Sequence, residues 1–401
     1  MRDEMKKVPR LRFRGFSEDW EHRKVEELGD TFTGLTGKTK EDFGHGDATF
    51  VTYINVFSNP ITDLKMTESV EIDAKQNQVE YGDIFFTTSS ETPEEVGMSS
   101  VWLGNEANVY LNSFCFGYRP VTELAPYYMA FMLRSPNVRK KFILLAQGIS
   151  RYNISKNRVM DIEIPVPNID EQRKVGQFFK DIDDLITLHQ RKLDQLKELK
   201  KAYLQLMFPK KDETVPRVRF ADFEDDWQLC KLGETFSIIM GQSPNSENYT
   251  ENPDDYILVQ GNSDMKNNKV VPRIWTTQVT KKAEKGDLIL SVRAPVGEIG
   301  KTDYNVVLGR GVAAVKGNDF IFQQLRKMKD SGYWTRYSTG STFESINSND
   351  IKEALINIPN KDEQQKIGDL FTHLDDAIIL NQNKLNQLKS LKKSYLQNMF
   401  I

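Results

Sequence analysis

The sequence predicts an α+β protein: two mixed α/β domains related by pseudo-two-fold symmetry and separated by two long antiparallel helices of coiled-coil type. Two observations carry this expectation. The segment 168–208, NIDEQRKVGQFFKDIDDLITLHQRKLDQLKELKKAYLQLMF, returns without a gap as 360–400, NKDEQQKIGDLFTHLDDAIILNQNKLNQLKSLKKSYLQNMF. Asp170 matches Asp362, Tyr203 matches Tyr395 and Phe208 matches Phe400, always 192 positions on. A shorter echo opens each half: Val8-Pro9-Arg10-Leu11-Arg12-Phe13 with Trp20 answers Val215-Pro216-Arg217-Val218-Arg219-Phe220 with Trp227. The period is far longer than a solenoid repeat, so it marks duplication of a whole domain with its helix. The expected order is a first α/β domain at 1–167 with an N-terminal arm, a helix at 168–208, a second domain at 209–358 entered through a linker at 209–216, and a helix at 359–401.

Each repeated helix shows its start and its seam. Pro167 and Pro359 stand just upstream, and Asp-Glu-Gln follows at 170–172 and 362–364, placing acidic residues where the helix dipole favours them. Apolar residues then recur at helical spacing: Val175, Phe178, Phe179, Ile182, Leu185 and Ile186, then Leu193, Leu196, Leu199, Tyr203 and Leu206. Steps of three and four are the pattern of a stripe that packs on another helix. The other copy is the expected partner, with each helix merely capping its own domain as the simpler possibility. A bend near Asp183-Asp184 is an alternative to one straight helix of roughly 60 Å. Lys197, Lys200 and Lys201 fall near the helix end, where the dipole favours cations. The acidic pairs Asp183-Asp184 and Asp375-Asp376 read as solvated or partner-facing surface.

The regions between the repeats read as strands. Thr49–Ile54, Asp83–Thr87, Tyr256–Val259 and Asp287–Val292 are rich in β-branched and aromatic residues. Faint landmarks recur: Tyr81-Gly82-Asp83-Ile84 parallels Lys285-Gly286-Asp287-Leu288, and Gly148, Ser150 and Ile154 parallel Gly340, Thr342 and Ile346. One fold with two different surfaces is therefore expected.

Bulk composition narrows the function classes. The 401 residues include 54 basic and 57 acidic side chains, for a net charge of −3, which argues against nucleic-acid binding by bulk charge alone but leaves local basic faces open. Cys115 and Cys230, far apart in sequence, read as reduced thiols of a cytoplasmic protein. The start, MRDEMKKVPRLRF, lacks the apolar core of a signal peptide, and no run approaches the roughly 18 apolar residues of a membrane span, so no membrane partner is expected.

The order of variable region, Pro-x-x-(Asp)-Glu-Gln helix ending in Leu-Lys-Lys-x-Tyr-Leu-Gln-x-Met-Phe, and then both again resembles the specificity subunit of type I restriction-modification enzymes. The resemblance covers nearly the whole chain. The stretch Gly286-Asp287-Leu288-Ile289-Leu290-Ser291 with Ala294-Pro295-Val296-Gly297-Glu298-Ile299-Gly300 is typical of such subunits, whereas the first half departs from it with Thr92-Pro93-Glu94-Glu95-Val96-Gly97. The resemblance implies two target recognition domains, each reading one half of a split sequence in double-stranded DNA. It implies helices that set the gap between half-sites and dock two methyltransferase (modification) subunits, together with restriction/translocase subunits. S-adenosylmethionine, ATP and Mg would belong to those partners, with no cofactor in this chain.

The residues themselves show little chemistry. There is no G-x-x-x-x-G-K-[ST] phosphate loop. Asn252-Pro253-Asp254-Asp255-Tyr256 faintly resembles the Asn-Pro-Pro-Tyr of adenine methyltransferases, but it lacks the second proline and a glycine-rich partner loop, and reads as a turn. His22, His45, His189 and His373 never fall at metal-ligand spacing. Asp254 and Asp255 are the one dense acidic candidate for a nuclease in a strand-edge context, and no partner group is evident.

Reading DNA needs donors and acceptors aimed at base edges and contacts to phosphate. In the first domain the candidates are Lys38, Lys40, Ser89, Ser90, Arg151, Tyr152 and Asn153. In the second they are Gln242, Ser243, Asn245, Arg293, Arg336, Tyr337 and Ser338. Two rival functions stand beside this one. A non-catalytic coiled-coil adaptor that binds protein or other ligands would show no salt-dependent DNA binding. A nuclease with degenerate motifs would cut DNA alone with magnesium.

Overall fold

The computed structural model describes residues 8–210, 212–337 and 345–401. It divides into two compact units. One holds the described residues up to Leu188 together with Lys384–Ile401, and the other is His189–Asn383. Both long helices, Ile169–Leu206 and Lys361–Asn398, are unbroken runs of 38 residues, so the bend at Asp183-Asp184 does not occur. Each unit contains part of both helices.

The first unit is built on an antiparallel sheet in the order Gly29–Thr33, Cys115–Pro120, Ile84–Thr87, Ser99–Val101. A second sheet places Phe43–Val51 between Thr67–Val70 and Val109–Leu111, the last pair parallel. Phe43–Val51 stops short of the strand expected at Thr49–Ile54. The Thr52 hydroxyl accepts from the Asn55 backbone N–H and caps the helix Tyr53–Ser58, so Tyr53 and Ile54 are helical. Their aromatic and β-branched character signals burial of a surface, which a capped turn also provides.

The second unit repeats the plan with more strands. Ile238–Met240, Val312–Val315, Leu288–Ser291 and Ile299–Lys301 stand in the order of the first sheet, and Tyr256–Val259 pairs in parallel with Val306–Leu308. Asn252 to Asp255 form the expected turn, with the Asp255 N–H donating to the Asn252 carbonyl. In each unit the strand leading into a long helix pairs with the strand after the opening echo: Glu163–Val166 with Glu21–Lys24, and Leu355–Ile358 with Gln228–Lys231.

The conserved Glu of Asp-Glu-Gln has a different role from the one its position suggests. Glu171 and Glu363 are fully buried, while Asp170 and Asp362 are exposed at the helix start. Glu171 accepts both Nε and Nη2 of Arg12, at 2.7 and 2.8 Å, and the Trp20 indole N–H at 3.0 Å. Glu363 accepts the same pair from Arg219 at 2.7 and 2.8 Å. The carboxylate raises both guanidinium pKa values, chiefly through these hydrogen bonds. The Gln that follows is also internal: Gln172 and Gln364 donate to the Pro167 and Pro359 carbonyls at 2.8 Å. The two echoes in the sequence are therefore the two sides of one clasp, built twice. Asn168 and Asn360 cap the helices through the Glu171 and Glu363 N–H groups, at 2.9 and 3.0 Å.

Each unit borrows a helix end. Met399 and Phe400 lie in the core of the first unit, with Phe400 stacked on Phe179 at 5.4 Å and tilted against Tyr128. Met207 and Phe208, their repeat equivalents, lie in the core of the second with Trp227, Phe320 and Phe371. The close approach that seats the helices needs glycine. A Cβ on Gly176 would stand 2.5 Å from the Tyr128 backbone nitrogen, and one on Gly368 would stand 3.1 Å from that of Phe320. Gly176→Ala is expected to destabilise the first unit by about 1–3 kcal/mol as an overpacked contact, and Gly368→Ala by less. Chemical denaturation of the two variants checks the order, and equal effects would refute it.

The helix seam is only partly apolar. Leu193, Leu204, Leu374, Leu385 and Leu388 are buried as a stripe requires, but Leu185 and Leu199 are exposed. Lys200 takes a buried place instead and donates to Asp375 of the other long helix at 2.7 Å. In the first unit the equivalent pair is Lys392 with Asp183. So Asp183 and Asp375 are interhelical ion-pair partners and not solvated surface, and Lys200 serves the seam and not the helix dipole. Burial still pushes Lys200 down to about 8, outweighing the attraction of Asp375. His189 meets its own repeat equivalent, Asn381, at 3.2 Å. In both units the partner numbers fall as the helix number rises, so the two segments run antiparallel.

Candidate nucleic-acid interface

In both units the loops at one end of the main sheet come together, and matched hydrogen bonds align them. The Leu35 N–H donates to the Leu111 carbonyl as that of Gln242 does to Leu308. The Asn112 N–H donates to Val51 as that of Gly309 does to Val259. The Ile154 N–H donates to Thr88 as that of Ile346 does to Val292. Two backbone pairings follow in register, Ser89 with Asn153 and Arg293 with Ser345. Lys38 thus corresponds to Asn245, and Ser89 to Arg293.

In the second unit these loops line a cavity of about 800 Å3. Ser243 and Arg293 were expected there. Tyr249, Gln260, Asn262, Ser263 and Arg310 join them, and the lining includes two arginines and no carboxylate. Such a cleft favours a polyanion and carries donors and acceptors for base edges. The Ser243 hydroxyl accepts the Arg310 N–H at 3.0 Å and ties the two rims. Gln260 is held by the Tyr249 hydroxyl at 2.8 Å and by its backbone N–H on Asp264 at 2.7 Å. Gln242 and Asn245 are exposed, and the Asn245 N–H is engaged by Gln278 at 2.8 Å. Arg336 and Tyr337 end a short 3-10 turn, Tyr333–Tyr337, and Ser338 lies outside the described residues.

In the first unit the same place is built differently. The strand Ser89–Ser90 pairs with Tyr152–Asn153, so four of the seven expected residues meet. Arg151 and Asn153 are exposed, and Tyr152 and Ser89 are half-buried. Ser90 is buried and its hydroxyl donates its proton to the Thr92 carbonyl, which leaves it only as an acceptor. Lys38 is paired with Asp73 at 3.0 Å, with only 12% of its side chain exposed. The Asp73 carboxylate is held down at about 2, first by the Lys75 backbone N–H and then by Lys38 and Gln76. Lys40 is exposed at the start of the short turn Lys40–Asp42. Two residues were missed. The Tyr53 hydroxyl donates to the Ser89 carbonyl at 2.7 Å, and the Phe114 carbonyl accepts both the N–H and the hydroxyl of Thr88. Tyr53 was hidden by its assignment to a strand. Phe114 has no local signal, because an exposed phenylalanine looks like a core residue in sequence.

Among the described residues no group of three or more His, Cys, Asp or Glu side chains could hold a metal ion, and no helix is long and apolar enough to cross a membrane. Cys115 and Cys230 are free, and burial pushes the Cys115 thiol up to about 12.

Two equivalent sets of loops with different side chains, each on a domain whose core takes in parts of both long helices, define a two-headed sequence reader. The family model for the type I restriction-modification DNA specificity domain matches residues 17–198 and again 224–390. The chain belongs to that family, carries its domain twice, and is a specificity subunit whose part is recognition and not catalysis. It is 26% identical over 394 residues to the type I restriction enzyme MjaX specificity subunit of Methanocaldococcus jannaschii, spanning 94% of this chain and 92% of that one. The solved S subunit of a type I restriction-modification system from M. genitalium has a TM-score of 0.65 at 17% identity, covering 98% and 99% of the two chains. The HsdS subunit from Thermoanaerobacter tengcongensis gives 0.50 at 21% identity, over 95% and 96%.

Proposed function

We propose that this chain reads an asymmetric, bipartite DNA target, one half-site per domain, and carries the modification subunits to it. The observation that carries the proposal is the pair of equivalent loop sets with different side chains. Arg293 stands where Ser89 does, so the two heads offer different donors and acceptors to the bases. The half-sites are set about one duplex turn apart, roughly 34 Å. Ser89, Arg151, Tyr152 and Asn153 act in the first head, with Lys40 at its edge. Gln242, Ser243, Asn245 and Arg293 act in the second, with Arg336, Tyr337 and Ser338 assigned to it from the sequence.

The helices dock two copies of a methyltransferase subunit, with restriction and translocation subunits added to that core. Exposed leucines recur at repeat-equivalent positions, Leu188 with Leu380 and Leu199 with Leu391, which suits two identical partners. Methylation at adenine N6 with S-adenosylmethionine, and ATP- and Mg-dependent translocation and cleavage, belong to those partners.

The test is N6-methyladenine mapping of plasmid DNA after co-expression with the modification subunit. One split, asymmetric motif that vanishes without this chain is expected. Arg293→Ala should cost about 1–3 kcal/mol in binding and relax one position of one half-site. Equal weakening on all sequences would instead make Arg293 a phosphate contact.

A further inference from the structure

The two heads differ in more than polar side chains. At its reading end the first head exposes three apolar residues, Ile149 at 95%, Phe114 at 63% and Ile54 at 54%. By the matched backbone hydrogen bonds, Ile54 corresponds to Asn262 and Phe114 to Gly311, both of which line the polar cavity of the second head. An isolated exposed apolar residue is ordinary, but three on one functional end, each beside a candidate contact, are not. Ile54 follows Tyr53, Phe114 bonds to Thr88 next to Ser89, and Ile149 shares a loop with Arg151.

That loop is closed at its base by a backbone pair. Gln147 and Asn153 exchange backbone hydrogen bonds at 2.9 and 2.8 Å and close a hairpin around residues 148–152. Gly148 has φ +145°, and a Cβ there would collide with the Arg151 carbonyl, so the close turn needs glycine. The tip therefore presents Ile149 with little left to order on binding.

Resting on the DNA-reading function above, we propose that the first head recognises its half-site through the 5-methyl group of thymine, covered by Ile149 and Phe114. That methyl is the one apolar group that base edges show in the major groove. An apolar tip flanked by Ser89, Arg151 and Asn153 can cover it while those neighbours take polar edges and phosphate. The second head sets Arg293 and Arg310 over a polar cavity and is expected to read by hydrogen bonds.

The experiment uses the complex of this chain with its modification subunit. Methylation mapping gives the motif, and Arg293→Ala marks the half-site that belongs to the second head. Duplexes are then made with deoxyuridine for thymine in the other half-site. Wild-type binding should weaken about fourfold for each contacted methyl lost. Ile149→Ala, a change at a side chain that is 95% exposed, should bind the thymine duplex more weakly and distinguish it less well from the deoxyuridine one, because only Phe114 still covers the methyl. The proposal is overturned if the first half-site lacks thymine, if wild type ignores deoxyuridine, or if Ile149→Ala keeps wild-type discrimination. In those three cases a split motif still stands and the DNA-reading function survives. If no split motif exists and Arg293→Ala relaxes nothing, that function fails and the proposal falls with it.

Discussion

Phe400→Ala is expected to destabilise the first domain by about 3–5 kcal/mol while leaving the second nearly untouched, although Phe400 is the last residue but one of the chain. Its ring is buried between Phe179 and Tyr128, and Met399 beside it is buried in the same core. The Leu11 N–H donates to the Asn398 carbonyl at 2.9 Å and the Asn137 side chain to the Phe400 carbonyl at 2.8 Å, so hydrogen bonds hold this end as well. Truncation leaves a cavity lined by aromatic rings that cannot collapse. Hydrogen exchange reads the result by region. Amides of Ile84–Thr87 and Cys115–Pro120 should lose protection, and those of Leu288–Ser291 and Val312–Val315 should keep it. Phe208→Ala should give the mirror image. Loss in both domains from either variant would show that the helix ends stabilise the chain in some other way.

Arg12→Ala is expected to cost about 3–5 kcal/mol, because it leaves the wholly buried Glu171 without its guanidinium. Among the described residues, the Trp20 indole would be the side chain still bonded to that carboxylate. Arg12→Lys should recover part of the loss, since an ammonium cannot form the two parallel bonds that Arg12 makes. The effect should hardly change with salt, as a pair with one partner fully buried is poorly screened. Arg219→Ala should be at least as costly, since the Trp227 indole N–H makes no hydrogen bond and offers Glu363 no substitute. Urea unfolding at low and high salt measures both. A loss below about 1 kcal/mol that disappears in salt would reduce the clasp to an ordinary surface ion pair.

Much of the architecture was legible because it is local. Helical spacing from Val175 onwards, a proline before each start and a gapless repeat are visible along the chain, and the two 38-residue helices, Ile169–Leu206 and Lys361–Asn398, lie inside the repeated segments. Strands such as Tyr256–Val259 were equally plain, since β-branched residues cluster where a sheet is buried. The candidate site was less legible. Ser89, Arg151, Asn153, Ser243 and Arg293 lie in the loops that come together at one end of each main sheet, while Ser90 bonds to the Thr92 carbonyl and Lys38 to Asp73. A serine or lysine in a polar loop looks the same in sequence whether its partner is solvent or a neighbouring carboxylate.

By itself the sequence determined that there are two homologous halves, where their helices run, and that the surfaces between them differ. Only the tertiary structure decided which charged residues are internal. Glu171 finds Arg12 and Glu363 finds Arg219 across more than a hundred residues, and Lys200 finds Asp375 on the other helix. It also decided that each domain core is completed by the end of a helix that starts in the other half of the sequence. Periodicity records which face of a helix is buried, but not what covers it. The covering partner is chosen by shape and charge brought together from distant segments, and no stretch of chain records that alone.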